Sequence, residues 1–297
     1  MKVAVTGSTG LVGRSLVGLL RAKGDVVVRL VRHGDPAADE VTWDAVTGAV
    51  NENHLAGVDA IVHLAGENIA TRWSGKVKTA IRDSRVKGTD AIARIAARLP
   101  RKPDVLVCAS AIGLYGDRGD EVLDEDAAPG KGFLPDVCSA WEAAAAPARD
   151  AGIRVVHVRI GVVLSPLGGA LEKMLPPFKL GLGGPIGNGR QWLSWISIGD
   201  VCGALRHAVV TPSLAGPVNA VAPNPATNRD FAKTLGKVLH RPALAPLPGF
   251  VAKLALGQMA EDLLLASTRV APKKLQASGF RFEHPQLEAA LTHVLAR

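Results

Sequence analysis

The sequence predicts an α/β protein with a doubly wound parallel sheet. Two observations indicate this fold. Short apolar runs typical of buried strands alternate with segments of helical periodicity, and the first run leads directly into a turn with three glycines. The chain of 297 residues is long enough for one large domain, or for such a sheet with a smaller second domain.

The first strand and the turn after it read K-V-A-V-T-G-S-T-G-L-V-G, from Lys2 to Gly13. Gly7 allows a tight turn, Gly10 lets backbone amides approach a pyrophosphate, and Gly13 lets the next helix pack on the strand. The helix that follows directs its N-terminal amides toward the phosphates. The pattern predicts a dinucleotide-binding turn, and a glycine-rich turn without a ligand is the alternative.

The second strand, Val26 to Val31, bears on the choice of cofactor because Arg32 follows it. An NAD site usually has an acid here for the ribose 2′-hydroxyl, whereas an arginine accommodates a 2′-phosphate. The nearest acid along the chain, Asp35, lies beyond a glycine. The pattern favours NADP(H), and a solvated arginine at a strand end is the alternative.

Further apolar runs extend the alternation of strands and helices. We predict strands at Val41–Asp44, Asp59–Leu64, Val105–Ala109 and Val155–Ile160, a basic helix between 71 and 102, and helices at Val137–Asp150 and Val201–Val210, the last capped by Asp200.

The character of the chain changes past Gly161, and we predict two domains. The segment Leu180–Gly189 lies after that change. It is too rich in glycine for regular structure, and with Trp192 and Trp195 we interpret it as part of a pocket. Residues 1–160 are the predicted dinucleotide-binding domain, to which 195–222 return. Residues 161–194 and 223–297 are the predicted substrate domain, which is small and mostly helical.

Charge and cysteine usage limit the classes of partner. Much of the net charge of +8 comes from residues 71–102, a segment that contains ten basic side chains and two acidic ones. Nucleic-acid binding is one interpretation, but the segment lacks interleaved aromatic residues, and a basic helix near an anionic cofactor can steer the cofactor toward its site.

Cys108, Cys138 and Cys202 are far apart and indicate neither a disulfide framework nor a metal site. We expect a cytoplasmic protein that contacts neither nucleic acid nor membrane and takes a small-molecule substrate; the oligomeric state stays open.

Several runs of the sequence carry a resemblance to a known family. The glycine pattern, H-L-A-G after the fourth predicted strand, S-R-V-K-G-T at Ser84–Thr89 and W-I-S-I-G-D resemble an extended short-chain dehydrogenase/reductase along the whole chain. More narrowly, H-L-A-G-E-N-I, W-E-A-A-A, P-F-K-L-G-L-G-G-P-I-G and A-P-N-P-A-T-N are similar to the atypical "epimerase family protein" subgroup, short-chain dehydrogenase/reductase family 39U.

The resemblance implies a Rossmann-type NADP(H)-binding fold with a C-terminal substrate domain. Carried over by position, the glycine-rich turn would hold the pyrophosphate and Arg32 the 2′-phosphate, while Ile160 would lie near the nicotinamide. Arg85 stands where ordinary extended members carry an asparagine beside the cofactor. The full predicted cofactor set is Gly7, Thr9, Gly10, Leu11, Val12, Gly13, Val31, Arg32, Leu64, Ala65, Gly66, Arg85, Ser110 and Ile160.

The catalytic pattern of ordinary members is missing. They use a tyrosine and a lysine four residues later, which lowers the pKa of the tyrosine. The one tyrosine here, Tyr115, is followed four residues later by Gly119, and the two catalytic positions align with Val137 and Trp141. The usual serine is replaced by Ala111.

Other polar residues lie in the right segments to move a proton: Ser110, Tyr115, Cys138 and Glu142. Each also has a structural interpretation, as a strand-end hydroxyl, a packed ring, a small apolar side chain or a solvated acid. Two functions therefore remain. The first is an NADP(H)-dependent oxidoreductase or epimerase, and the second is a non-catalytic protein that binds NADP(H) as a regulator or as part of a partner surface.

Overall fold

A parallel sheet forms the centre of the molecule in a computed structural model that describes residues 1–32 and 39–296. Asp35 lies outside these residues. The strands are β1 Lys2–Thr6, β2 Val26–Val31, β3 Glu40–Thr42, β4 Ala60–His63, β5 Val105–Ala111, β6 Val122–Leu123, β7 Arg154–Ile160, β8 Val162–Leu164, β9 Trp192–Leu193, β10 Trp195–Ser197, β11 Gly216–Ala220, β12 Ala226–Thr227 and β13 Arg269–Val270. The helices are α1 Leu11–Ala22, α2 Gly75–Arg98, α3 Phe133–Ala143, α4 Ala146–Asp150, α5 Gly169–Lys179, α6 Ile198–Val210, α7 Asn228–Val238, α8 Gly249–Leu256, α9 Gln258–Ala260, α10 Lys273–Ala277 and α11 Leu287–Leu295.

Seven of the described strands pair in the order β11-β7-β5-β4-β1-β2-β3, all parallel. Side chains alternate between the two faces of this sheet. Val3 and Val5 pack in a core with α1 and α6, while Ala4 lies in a second core with α2. Because both faces are covered by helices, the strands are nearly continuous apolar runs. The predicted doubly wound fold is confirmed.

The remaining strands form short pairs beyond the main sheet. β8 pairs with β10 in parallel, β9 with β12 antiparallel, and β6 with β13 in parallel. The C-terminal part, from α7 onward, is mostly helical, as expected. None of the described helices is both long and apolar enough to cross a membrane.

Two predicted helices differ from those observed. The segment 137–150 is divided into α3 and α4, because Pro147 lies in the first turn of α4 and cannot continue a helix from α3. Asp200 does not cap α6. Ser197 is the N-cap, and its hydroxyl oxygen accepts a hydrogen bond from the backbone N–H of Asp200 at 3.0 Å. The buried Asp200 carboxylate accepts hydrogen bonds from the backbone N–H groups of Glu283 and His284, and these bonds hold the C-terminal segment against α6.

Candidate functional site

The glycine-rich turn between β1 and α1 has the close backbone approaches that the sequence predicted. Gly7 has a φ of +65°, and a Cβ there would lie 2.7 Å from the carbonyl carbon of Leu64. At Gly13 a Cβ would overlap the carbonyl oxygen of Gly7. Gly10 differs, because a Cβ would meet only the Gly7 oxygen, at 3.3 Å. Gly7 and Gly13 are therefore required by the packing of the turn, whereas Gly10 borders open space.

The N-terminus of α1 has the features of an anion-binding site. Gly10 is its N-cap and offers no side-chain acceptor, and the first turn contains no acid. The first amides of any α-helix have no intrahelical partner, and here no side chain caps them, so the helix dipole favours a negative charge there. Thr9 and Gly10 are exposed, and Leu11 and Val12 are half-buried. These residues fit a pyrophosphate.

Ser8, in the same turn, is a polar residue that the sequence analysis missed. Its side chain is buried, and its Oγ has no hydrogen-bond partner in the described structure. A buried hydroxyl without a partner carries a free-energy cost that a ligand or water can remove. The sequence signal was its place between Gly7 and Gly10.

A hydrogen bond between neighbouring strand ends positions the loop after β4. Thr6 Oγ1 lies 2.8 Å from His63 Nδ1 and accepts hydrogen bonds from the backbone N–H groups of Leu64 and Ala65. Burial lowers the pKa of His63 to about 4, so the imidazole is neutral at neutral pH. Leu64, Ala65 and the exposed Gly66 thereby lie beside the glycine-rich turn.

Arg32 lies at the carboxyl end of β2, just after the buried Val31. Its guanidinium Nη1 is 3.5 Å from Glu67 Oε1, and both side chains are exposed. An acid is thus near Arg32, although it comes from the loop after β4 and not from β2. Sequence reasoning missed Glu67 because it considered only acids close to Arg32 along the chain.

Arg85 projects from α2 under the same loop. Its Nη1 donates to the carbonyl oxygens of Glu67 and Ile81, and its guanidinium carbon lies 5.1 Å from the centre of the Trp141 ring. It takes part in no ion pair among the described residues. Burial lowers its pKa, but an arginine stays charged at neutral pH. A half-buried cation without an acid partner at this edge can bind an anion.

Ser110, Tyr115 and Glu142 meet in one buried network, and Arg159 at its centre was missed by the sequence analysis. Arg159 is the register partner of Ser110 on the neighbouring strand. Its Nε and Nη2 donate to the two Glu142 oxygens at 2.8 and 2.9 Å, and its Nη1 donates to the Tyr115 hydroxyl at 2.9 Å. Ser110 Oγ donates to Glu142 at 2.7 Å. Asn219 completes the network by accepting from Tyr115 at 2.8 Å.

The charges of this network fix the protonation states of its members. Burial alone would raise the pKa of Glu142, but the hydrogen bonds and charge of Arg159 outweigh it and lower the pKa. Burial raises the pKa of Tyr115. Glu142 is therefore a carboxylate and Tyr115 a neutral phenol at neutral pH, and both are hydrogen-bonded to neighbouring protein groups.

The positions that align with the usual catalytic pair hold no proton donor for a substrate. Val137 is buried, and the Trp141 indole N–H donates to Thr89 Oγ1 at 2.8 Å. Beside them, burial raises the pKa of the Cys138 thiol to about 12, with the Glu142 charge as a smaller cause, so the thiol is protonated. Ile160 is half-buried and pairs in register with Ala111.

The two tryptophans interpreted as pocket residues have different environments. Trp195 is fully buried in the core around α5, α7 and α11, so its assignment to a pocket was wrong. Its indole N–H donates to the Asn224 carbonyl at 3.0 Å. Trp192 is half-buried, donates to Asp120 at 2.7 Å and is covered by the Arg269 guanidinium.

The described residues contain no group of three or more His, Cys, Asp or Glu side chains arranged to hold a metal ion.

Comparison with known proteins supports the same assignment as the fold. Residues 3–220 match the NAD dependent epimerase/dehydratase family, and residues 247–294 match a domain of unknown function, DUF1731. The epimerase family protein Mb2239 of Mycobacterium bovis is 42% identical over 296 residues, 99% of this chain and 98% of its own length. The epimerase family protein SDR39U1 of Bos taurus is 40% identical over 301 residues and is covered, like this chain, over 100% of its length.

A solved structure extends the similarity to three dimensions. The crystal structure of human epimerase family protein SDR39U1 (isoform 2) with NADPH superposes with a TM-score of 0.92 at 38% identity, over 100% of this chain and 99% of that chain. The resemblance inferred from the sequence motifs is confirmed. This chain belongs to the NAD dependent epimerase/dehydratase family, within the group of epimerase family proteins that includes SDR39U1.

Proposed function

We propose that this chain binds NADP(H) across the carboxyl ends of β1, β2 and β4 and acts on a small molecule as an oxidoreductase or epimerase-like protein without a Tyr-Lys pair. The observation that carries the proposal is the N-terminus of α1, which has no acid and no side-chain cap and is bordered by Gly10. Human SDR39U1, with NADPH in its crystal structure, supports it.

Apart from Ser110 and Ile160 on β5 and β7, the predicted cofactor residues form three groups around this edge. The glycine-rich turn from Gly7 to Gly13 offers backbone amides to the pyrophosphate. Arg32 would bind the 2′-phosphate, and binding there would replace its long contact with Glu67. Arg85, without an acid partner, would contribute a second cation under the loop 64–67.

The chemistry at the other end of the site depends on few protein groups. NADPH, when bound, supplies a hydride, so the protein has to orient the substrate and supply or accept a proton. Ser110, with its hydroxyl on the Glu142 carboxylate, lies on the strand that ends at Ala111. Tyr115 is fully buried, and its hydroxyl is held by Arg159 and Asn219. Of the polar groups near the strand ends, Tyr115 is thus the least able to reach a substrate.

A non-catalytic, NADP(H)-binding regulatory protein is the second candidate function. The hydrogen bonds that tie Ser110, Tyr115 and Glu142 to protein neighbours, and the residues Val137 and Trp141 at the catalytic positions, favour it. A screen of NADPH oxidation with aldehydes, ketones, quinones and nucleotide-sugars separates the two functions. Turnover supports the enzyme, whereas tight NADPH binding with no turnover supports the regulator.

We expect the wild-type protein to bind NADPH more tightly than NADH, and Arg32→Ala to remove the difference. One or more charge-assisted hydrogen bonds to the 2′-phosphate contribute about 1.5 to 3 kcal/mol, which corresponds to roughly 10- to 150-fold in affinity. Isothermal titration of both cofactors measures it. Arg82→Ala, which removes an exposed cation from α2, is the charge-matched control and should keep the preference. Equal affinities in the wild type would contradict the assignment of Arg32.

If a substrate is found, Tyr115→Phe should reduce turnover by less than about tenfold. A general acid typically contributes about 10² to 10⁴ in rate, and the buried Tyr115 hydroxyl is bonded to protein groups on all sides. The measurement is kcat/KM of wild type and variant at several pH values. A thousandfold loss would show that Tyr115 is the proton donor after all.

A further inference from the structure

A cleft of about 620 Å³ lies apart from the strand-end site. Three segments line it: the loop 185–190, the first turns of α7, and residues 243–246. None of its lining residues belongs to the glycine-rich turn, to the ends of the sheet strands or to α2. The volume is within the range of pockets that hold small molecules.

Hydrogen bonds between the lining segments make the cleft a preformed feature. Leu247 donates its amide to the Pro185 carbonyl, and Gly187 donates to the Leu247 carbonyl, both at 2.9 Å. The Asn228 side chain accepts the Ile186 amide at 2.7 Å. Gly189, at a φ of +70°, packs against both Arg229 and Pro185, and a Cβ there would lie 3.0 Å from the Cβ atom of each. The walls are thus joined to one another without a ligand.

Three cations surround the cleft, and no acid lines it. Arg190, Arg229 and Lys233 are exposed, and none of them forms an ion pair with a described residue. Arg229 donates one N–H to the Asn188 carbonyl, which holds the guanidinium beside the loop. The neighbouring acid, Asp230, accepts the Thr227 hydroxyl at 2.6 Å. The local charge therefore favours an anion.

The rest of the lining is apolar. Pro185, Ala243 and Pro246 contribute to it, and Leu244 is 85% exposed although it borders the cleft. An exposed leucine beside prolines is apolar surface that a ligand can cover, and covering it is favourable. Cations and apolar side chains in one cleft are complementary to a ligand that carries both a negative charge and an apolar part.

We propose that this cleft binds a small amphiphilic anion, with its carboxylate or phosphate on Arg190, Arg229 and Lys233 and its apolar part on Leu244 and the prolines. Arginine forks pair with both kinds of headgroup in a bidentate manner. The site is separate from the proposed NADP(H) site, so the two ligands should bind at the same time.

The test uses the fluorescent anion 8-anilinonaphthalene-1-sulfonate, titrated into the full chain with saturating NADPH present. We expect saturable binding that weakens at least about tenfold in Arg229→Gln/Lys233→Gln and also weakens in Leu244→Ser. Lys76→Gln/Arg82→Gln, which removes two exposed cations from α2, is the control and should bind as the wild type does. All the replaced side chains are exposed, and thermal melts verify that each variant is folded.

Competition by octyl phosphate, octanoate and 1-octanol, below their micellar concentrations, identifies the headgroup. Stronger displacement by octyl phosphate assigns a phosphate, and stronger displacement by octanoate assigns a carboxylate; either supports the proposal. Three results would overturn it: unchanged dye binding in Arg229→Gln/Lys233→Gln, displacement by 1-octanol equal to that by the anions, or loss of dye fluorescence on adding NADPH to the ligand-free protein.

Discussion

Gly10→Val is expected to abolish NADPH binding in a protein that still folds. Gly10 has a φ of −75° and a ψ of 175°, an extended conformation that valine adopts readily. A Cβ would meet only the Gly7 carbonyl oxygen, at 3.3 Å, and the branched methyl groups would extend into the space before the first turn of α1. That space is where a pyrophosphate would approach the amides, so we expect a loss of affinity of at least about 100-fold.

Thermal melts with and without NADPH measure both parts of this prediction. The apo melting temperature should stay within a few degrees of the wild type, while the increase caused by NADPH should vanish. Gly18→Val is the matched control, because Gly18 is an exposed residue of α1 with no atom within 4 Å of its Cβ position. It should keep the NADPH-induced increase. A Gly10→Val protein that NADPH still stabilises would place the pyrophosphate elsewhere.

Glu142→Gln is expected to destabilise the protein by about 3 to 5 kcal/mol. The side chains of Glu142 and Arg159 are only 15% and 8% exposed, and removing one partner leaves the other charge buried without compensation. Urea unfolding measures the loss. Glu121→Gln, which breaks the more exposed pair with Arg118, is the control and should cost no more than about 1 kcal/mol.

A double variant separates the charge from the packing. Glu142→Leu/Arg159→Met removes both charges together, and we expect it to be more stable than either single variant, because no unpaired charge remains buried. If each single replacement cost less than about 1 kcal/mol, the buried pair would not be holding β5, β7 and α3 together.

The same pair predicts how stability depends on pH. The folded-state pKa of Glu142 is lowered, so its contribution is fully present above the unfolded pKa of about 4.3. It is lost as the pH falls through the folded pKa, where the carboxylate becomes protonated. Stability in Glu142→Gln should therefore fall less steeply between pH 5 and pH 3 than in the wild type.

Local patterns in the sequence were sufficient for the parts of the fold that depend on neighbouring residues. The alternation of apolar runs and helices predicted the parallel sheet, since each strand and each helix must bury a face. The triplet Gly7, Gly10 and Gly13 predicted the turn, because the positive φ of Gly7 and the packing of Gly13 against Gly7 both arise within seven residues of one chain segment. Arg32 at the end of β2 was predicted in the same way.

Tertiary structure alone decided the environment of the polar residues. Arg159 meets Glu142, Ser110 and Tyr115 because β5 and β7 are neighbours in the sheet and α3 packs beside them, an arrangement that no local pattern encodes. Glu67 approaches Arg32 for a similar reason, since β4 and β2 both border β1 and end at the same edge.

The position of Asp200 shows the same limit within a single helix. Its place before an apolar helical run predicted a cap, yet Ser197 starts the helix one turn earlier, and the carboxylate binds amides 83 and 84 residues away. By itself the sequence determined the alternation of strands and helices over the first 160 residues and the dinucleotide-type turn, because these follow from short-range sterics and the burial of apolar faces. Only the folded chain decided which charges are paired and which cations, Arg85 among them, lack an acid partner, because those contacts join segments that are distant along the chain.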